Sequence, residues 1–190
     1  LAHELGELYI RHDVLGTVDD QAFSDRFDEI MNNELFSEEM LDVVPIYVDY
    51  CTEQLNAAKS IDPQAIMEVE QKLDLTEFVP ESFGTADCVV LGGNLIEVID
   101  YKHGKGVPVY AEWNKQLMLY GLGALRKYDV LYDIEEVRVT IVQPRINNIS
   151  TWQISVDELL KWAEEELKPA AKIAFAGEGE LKAGDWCKFC

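Results

Sequence analysis

Hydrophobic and polar positions along the chain repeat with two periods, which separate predicted helices from predicted strands. Spacing of three to four residues between apolar positions predicts helices at residues 2–14, 21–33, 37–60 and 111–127, and at 155–176 with a break at Pro169. Alternation or short Val/Ile-rich runs predict strands at residues 65–75, in two runs between 84 and 102, and at 136–143 and 150–154. Strands interleaved with helices are typical of an α/β or α+β sheet domain.

The pattern is most specific between residues 84 and 102, where it predicts a β-hairpin. Two runs rich in Val, Ile and Leu flank a Gly-Asn turn at residues 93–94. Counting back from that turn sets Asp87 opposite Asp100, with Cβ atoms about 4.5–5.5 Å apart. Side chains alternate along a strand, so Lys102 shares a face with Asp100. Opposed like charges destabilise a sheet, so we expect a cation to offset the repulsion.

Two carboxylates beside an ammonium group suit the cleavage of a phosphodiester bond. Carboxylates hold hard divalent cations such as Mg²⁺ or Mn²⁺. Such an ion polarises the phosphoryl oxygen and lowers the pKa of bound water. The lysine can orient that water or neutralise charge in the transition state. The hairpin therefore predicts a metal-dependent nuclease site.

Several short motifs occur in one order along the chain: His3, then Gly84-Thr-Ala-Asp87, Asp100-Tyr-Lys102 and Gln116-Leu-Met-Leu-Tyr120. This ordered set resembles the PD-(D/E)XK nuclease superfamily, in its RecB-like exonuclease branch and the related phage and prophage nucleases. The resemblance spans nearly the whole chain. It implies a restriction-endonuclease-like α-β-β-β-α-β core, with a central mixed sheet flanked by helices and with N-terminal helical additions.

The resemblance also implies a metal-ligand set. Asp87, Asp100 and the backbone carbonyl of Tyr101 would bind Mg²⁺ or Mn²⁺ together with His3, because RecB-like nucleases use a histidine on an early helix as a ligand. On spacing alone, His3 is an ordinary surface residue of a helix. Glu70 is a further candidate, because a glutamate upstream of the aspartate pair lies near the metal in several such nucleases. Its alternative interpretation is an exposed charge on a strand.

Other residues are predicted to act on the substrate. Lys102 would serve the attacking water, and Gln116 and Tyr120 would hold DNA or brace that lysine, as the resemblance implies. As alternatives, Tyr120 is a core aromatic residue and Gln116 a residue at the solvent boundary. Lys105 lies in a glycine-containing segment, Lys-His-Gly-Lys-Gly, that could approach a phosphate backbone. The other interpretation of that segment is a flexible loop.

Length and composition indicate a single globular domain. The chain has 190 residues, of which 48% are hydrophobic and 27% charged. We expect a helical part at residues 1–62, a sheet core with the active site at 63–156, and a C-terminal helix and cysteine-containing tail at 157–190. No apolar run approaches the roughly 18 residues of a membrane span. The expectation is a cytoplasmic protein without a membrane partner.

The net charge of −20 argues against a nuclease, because DNA affinity comes largely from Lys and Arg contacts to phosphate. Two function classes therefore remain. One is a DNA nuclease with an acidic shell around a locally basic cleft and a recombination partner protein. The other is a nuclease-like scaffold that has lost catalysis and serves as an acidic binding module in recombination or packaging. A calcium buffer would need a spaced D-x-D-x-D loop, which the sequence lacks.

Four cysteines in a chain without a signal peptide indicate a reducing compartment. Cys51 and Cys88 are expected in the core. Cys187 and Cys190 form a C-x-x-C pair, which is at most half of a metal site. Some RecB-like nucleases hold an iron–sulfur cluster with one upstream cysteine and three C-terminal ones. The pair would match two of the latter, with the missing ligands beyond both ends of this chain. The alternative is two reduced cysteines on a frayed tail.

Overall fold

The computed structural model describes residues 1–129, 132–184 and 187 of the chain. The α-helices are α1 (Ala2–Tyr9), α2 (Asp20–Met31), α3 (Glu39–Ile61), α4 (Lys115–Tyr128), α5 (Val156–Trp162) and α6 (Lys168–Phe175). Two π-helical turns, Ile10–Val14 and Ala163–Leu167, extend α1 and join α5 to α6, and a 3₁₀ turn covers Pro144–Ile146. The strands are β1 (Ile66–Asp74), β2 (Phe83–Gly92), β3 (Leu95–Tyr101), β4 (Glu136–Gln143) and β5 (Asn148–Ser155).

The five strands form one mixed sheet in the order β1-β2-β3-β4-β5. All neighbours are antiparallel except β3 and β4, which are parallel and therefore need the crossover through α4. Helices cover the sheet on both sides, so the predicted α+β class with a central mixed sheet is confirmed. The predicted hairpin turn is also confirmed, since Gly92 pairs with Leu95 and Gly93 adopts a φ of +62° that suits glycine.

Side-chain alternation along β3 divides the hydrophobic interior into two cores. Ile96 and Val98 pack into the core under α4 and α5. Ile99 and Tyr101 pack into the core under α1, α2 and α3. This two-sided burial explains why β3 reads as a nearly continuous apolar run rather than as an alternating one.

Helix α4 begins at Lys115, four residues later than the predicted start. Trp113 has a φ of +52°, which is outside the helical region. The Asn114 side chain accepts a hydrogen bond from the backbone N–H of Leu117, so Asn114 is the N-cap. At the other end of the chain, the irregularity predicted at Pro169 lies at Ala163–Leu167, where a π-helical turn precedes the proline.

Close approach of α4 to the sheet depends on glycine at position 123. A Cβ atom there would lie 2.8 Å from Leu73 Cβ and 2.9 Å from Leu75 Cδ2. In Gly123→Ala, overpacking costs about 1–3 kcal/mol, which exceeds the gain of about 1 kcal/mol in helix propensity. We expect a lower free energy of unfolding in chemical denaturation. Gly104→Ala is the control, because no atom of the described chain lies within 4 Å of its Cβ position; equal losses in both variants would contradict the prediction.

None of the helices in the described ranges combines the length and the apolar character needed to cross a membrane.

Candidate active site

Asp87 lies where β2 and β3 separate. The paired residues of the β2–β3 ladder end at Cys88 and Ile99, so the next step of the register sets Asp87 opposite Asp100, as predicted. There the Asp87 carboxylate replaces a backbone acceptor, because its Oδ2 accepts a hydrogen bond of 2.7 Å from the backbone N–H of Tyr101. The side chain is thereby held between the two strands.

Asp100 and Lys102 form an ion pair at the end of β3. Lys102 Nζ lies 3.1 Å from Asp100 Oδ1 and 2.8 Å from Oδ2. Only the Oδ1 contact has hydrogen-bond geometry, and the buried Oδ2 accepts no hydrogen bond from the described residues. The Asp100 side chain is 4% exposed and that of Lys102 is 29% exposed. The backbone N–H of Lys102 donates to the carbonyl of Val142 on β4. This hydrogen bond holds the Lys102 backbone in line with β3, the strand that carries Asp100.

His3 reaches this point from α1. Its Nε2 lies 2.8 Å from the carbonyl oxygen of Tyr101 and 3.6 Å from Asp87 Oδ2. A carbonyl oxygen only accepts hydrogen bonds, so Nε2 is the donor in this contact. The imidazole also packs edge-on against the Tyr101 ring at 5.2 Å between centroids. The structure therefore brings His3 to Asp87 and to the Tyr101 carbonyl, the groups with which it was predicted to act.

Glu70 on β1 is a third carboxylate beside the pair Asp87 and Asp100. The residues on either side of Glu70 pair with those on either side of Asp87, so the two carboxylates face each other in register. Glu70 has a φ of +51°, which costs on the order of 1–3 kcal/mol in a residue other than glycine. The strand changes face at this position: Val69 packs toward the N-terminal helices, whereas Leu73 packs under α4. Half-buried Glu70 thus lies beside the site rather than on open surface.

Burial and mutual repulsion raise the pKa values of the three carboxylates, Asp87, Asp100 and Glu70. Burial, followed by repulsion from Asp100, raises the pKa of Asp87 to about 7. The hydrogen bond from the Tyr101 N–H and the positive charge of Lys102 act in the opposite direction. Burial also raises the pKa of Asp100, although the Lys102 ammonium acts in the opposite direction. The pKa of Glu70 is raised by burial and then by Asp87. The site therefore concentrates negative charge that one lysine only partly compensates.

The donor atoms suit Mg²⁺ or Mn²⁺. These ions prefer carboxylate and carbonyl oxygens, which Asp87, Asp100 and the Tyr101 backbone offer. Asp100 Oδ2 is buried with a lone pair that no hydrogen bond uses in the described chain. Within the same residues, no group of three or more His, Cys, Asp or Glu side chains is placed where it could hold a metal ion. The Asp100 carboxylate instead forms an ion pair with Lys102, and His3 Nε2 donates its hydrogen bond to the Tyr101 carbonyl.

Gln116 and Tyr120 are one turn apart on α4. Gln116 Nε2 donates a hydrogen bond of 2.9 Å to the Tyr120 hydroxyl. Neither residue hydrogen-bonds to Lys102 in the described chain, so the predicted bracing of that lysine is not among the contacts. Tyr120 instead packs over β2 at Gly84, where an added Cβ would lie 2.5 Å from the ring. Glycine at position 84 therefore makes room for the tyrosine, three residues before Asp87.

The segment after Lys102 is a loop that side chains from β4 and the following turn hold by hydrogen bonds. Lys105 is exposed there, as expected for a residue available to substrate. Buried Gln143 holds the loop by donating to the carbonyl oxygens of Gly104 and Val107. Arg145 donates to the His103 carbonyl and forms a two-pronged ion pair with Glu39 of α3. Sequence reasoning missed these supports. The one local signal was a glutamine ending an apolar strand just before a proline.

The cysteines divide into a buried pair and a tail. Cys51 and Cys88 are fully buried, as predicted. Cys187 is exposed, and its Sγ accepts a contact of 3.4 Å from the Gly184 N–H. Cys190 lies outside the described residues, so the predicted iron–sulfur role of the pair stays a prediction.

Comparison with known proteins gives a family and a weak structural similarity. The crystal structure of SSO0001 is similar to this chain at 15% sequence identity, over 88% of this chain and 75% of that one, with a TM-score of 0.35. Residues 1–190 match the family described as "Protein of unknown function (DUF2800)". The chain, which carries the Asp87–Asp100–Lys102 site over its β2–β3 junction, therefore belongs to the DUF2800 family.

Proposed function

We propose that this protein is a Mg²⁺- or Mn²⁺-dependent DNA nuclease of restriction-endonuclease-like fold that hydrolyses phosphodiester bonds, as an exonuclease in phage-related recombination or repair. The observation that carries the proposal is the meeting of Asp87, Asp100, Lys102 and His3 at the point where β2 leaves β3. Structural needs alone do not favour two buried, mutually repelling carboxylates at that junction.

Each group has a distinct part in this proposal. Asp87, Asp100, His3 and the Tyr101 carbonyl would hold the cation. The bound cation would supply Lewis-acid polarisation of the phosphate and a lower pKa for water. Lys102 holds its ammonium beside Asp100, where it can orient water and neutralise developing charge. Partial burial of Asp100 and Lys102 strengthens these electrostatic interactions relative to bulk water.

The net charge of −20 supports a second candidate, an acidic binding module without catalysis. Such a module needs no cation at Asp87. The segment that directly follows Lys102 differs from the average, since residues 103–115 contain two lysines and one glutamate. This basic excess directly follows the candidate catalytic lysine and favours the nuclease.

The nuclease is tested with end-labelled single- and double-stranded DNA in the presence of Mn²⁺, Mg²⁺ or EDTA. We expect metal-dependent hydrolysis by the parent protein and none by Asp100→Ala. Asp49→Ala, which alters an exposed acid on α3, is the matched control and should retain activity. Equal DNA hydrolysis by parent and Asp100→Ala would end the proposal.

Calorimetric titration with Mn²⁺ separates the two candidates without relying on a chosen substrate. The nuclease should bind the ion at a site that Asp87→Asn removes. The binding module should show the same titration in the parent and the variant.

A further inference from the structure

Two exposed aromatic residues, Tyr110 and Trp113, lie on the segment that precedes α4, and the Trp113 ring contacts half-buried Trp152 on β5. These three residues are called the aromatic patch. Tyr110 is 65% exposed and Trp113 is 44% exposed. The rings of Trp113 and Trp152 are 5.0 Å apart and inclined at 41°. Because the two rings do not stack face to face, ring surface stays available for another planar group.

The sheet register places this patch on the same face as Asp100. Asp100 on β3 pairs with Ile141 on β4, which pairs with Ser150 on β5. Ser150 Oγ accepts a hydrogen bond of 3.0 Å from the backbone N–H of Ala111, the residue between Tyr110 and the turn that carries Trp113. Two strand spacings separate β3 from β5, so this anchor lies roughly 10 Å from the backbone of Asp100.

The backbone at Trp113 is strained without a gain in burial. Its φ of +52° is rare for a bulky residue and costs on the order of 1–3 kcal/mol. A tryptophan in that conformation could be compensated by deep burial, yet nearly half of this one is exposed. The strain instead holds the indole out on the surface, next to Trp152.

The segment that carries Tyr110 and Trp113 has a small excess of lysine over acidic residues, and one of these lysines, Lys115, also lies 3.6 Å from Glu166. Lys115 Nζ lies 5.6 Å from the Trp113 ring centroid and 4.7 Å from that of Trp162. With Lys102 and Lys105 it gives residues 102–115 three lysines against Glu112, in a protein of net charge −20. Aromatic faces with interspersed cations are the combination that binds single-stranded nucleic acids.

We propose that the aromatic patch stacks against unpaired bases of a single-stranded DNA segment whose backbone runs to Asp87 and Asp100. This rests on the proposed nuclease function and adds a substrate form to it. Bases inside a duplex are already stacked on each other, so the patch favours single strands or frayed ends over intact duplex.

The experiment measures binding apart from hydrolysis. In EDTA, fluorescently labelled oligo-dT and a blunt duplex of equal length are titrated with the parent, Trp113→Ala, Tyr110→Ala and Trp113→Tyr. We expect each alanine variant to bind oligo-dT about 5- to 150-fold more weakly, the range for losing one base–aromatic stack. Trp113→Tyr should keep most of the affinity, and duplex binding should not change. Phe175→Ala, at an exposed aromatic on α6, is the matched control.

The outcomes distinguish this proposal from the nuclease itself. Parent-like oligo-dT binding by both alanine variants would overturn the stacking role while leaving hydrolysis untouched. A parent that binds no oligo-dT would also overturn it. If oligo-dT binding falls as expected but no DNA is hydrolysed with Mn²⁺, the stacking role stands and the nuclease fails. Circular dichroism of each variant checks that the fold is intact.

Discussion

Lys102→Met is expected to lower DNA hydrolysis by about 100- to 1,000-fold while leaving Mn²⁺ binding intact or tighter. The loss in rate is that of removing one charged donor from a transition state. The tighter binding follows from the ion pair, since Lys102 Nζ lies 2.8 and 3.1 Å from the two oxygens of Asp100. In Lys102→Met, no ammonium group competes with a divalent cation for the Asp100 carboxylate.

Asp100→Asn is expected to weaken Mn²⁺ binding, in contrast to Lys102→Met. It removes a charged ligand, so both Mn²⁺ affinity and hydrolysis should fall. Calorimetry gives the affinity, and single-turnover hydrolysis at saturating Mn²⁺ gives the rate. Lys172→Met, at an exposed position on α6, is the charge-matched control. If Lys102→Met and Asp100→Asn lose Mn²⁺ binding equally, the separate roles given to lysine and carboxylate are wrong.

Asp87→Asn is expected to stabilise the metal-free protein at pH 8. The pKa of Asp87 rises from its ordinary value of 3.8 to about 7 in the folded protein. A raised folded-state pKa means that this group stabilises the fold most below pH 3.8, and that the contribution is lost as the pH rises through 7. The loss is on the order of 4 kcal/mol, at 1.36 kcal/mol per pKa unit. Asparagine cannot ionise and can still accept the hydrogen bond from the Tyr101 N–H.

The measurement is thermal unfolding of parent and Asp87→Asn in EDTA between pH 5 and 8. The variant should gain on the parent as the pH rises, reaching a melting temperature at least several degrees higher at pH 8. Mn²⁺ should reverse the order, because a ligand that binds only the folded parent stabilises it. Asp49→Asn should follow the parent throughout. A pH-independent difference between parent and Asp87→Asn would show that Asp87 ionises freely in the fold.

Local rules were enough for the hairpin and for part of the candidate site. Gly-Asn at residues 93–94 sets the turn because the first position needs a positive φ. Two-residue alternation then puts Lys102 beside Asp100. The Ser155 side chain caps α5 by accepting a hydrogen bond from the Glu158 N–H, which the Ser-x-x-Glu spacing allows. These features depend on neighbours within a few residues, which is why the sequence alone predicts them.

Features set by distant packing were not predictable in the same way. His3 meets Tyr101 across 98 positions of sequence, and only the family resemblance indicated it. The left-handed backbone of Glu70 and Trp113 has no local sequence signal, because neither residue type favours that conformation. Arg145 reaches Glu39 across 106 positions of sequence. Each of these depends on how whole elements are placed, which periodicity does not describe.

The two edges of β3 are held by different hydrogen bonds at the site, so we expect one edge to open more readily than the other. The Lys102 N–H is bonded to the backbone of β4, whereas the Tyr101 N–H is bonded only to the Asp87 carboxylate. We therefore expect local opening at the junction to separate β2 from β3 before β3 leaves β4. Amide hydrogen exchange would proceed through this one-sided opening, which uncovers Asp87 and leaves Asp100 and Lys102 in place.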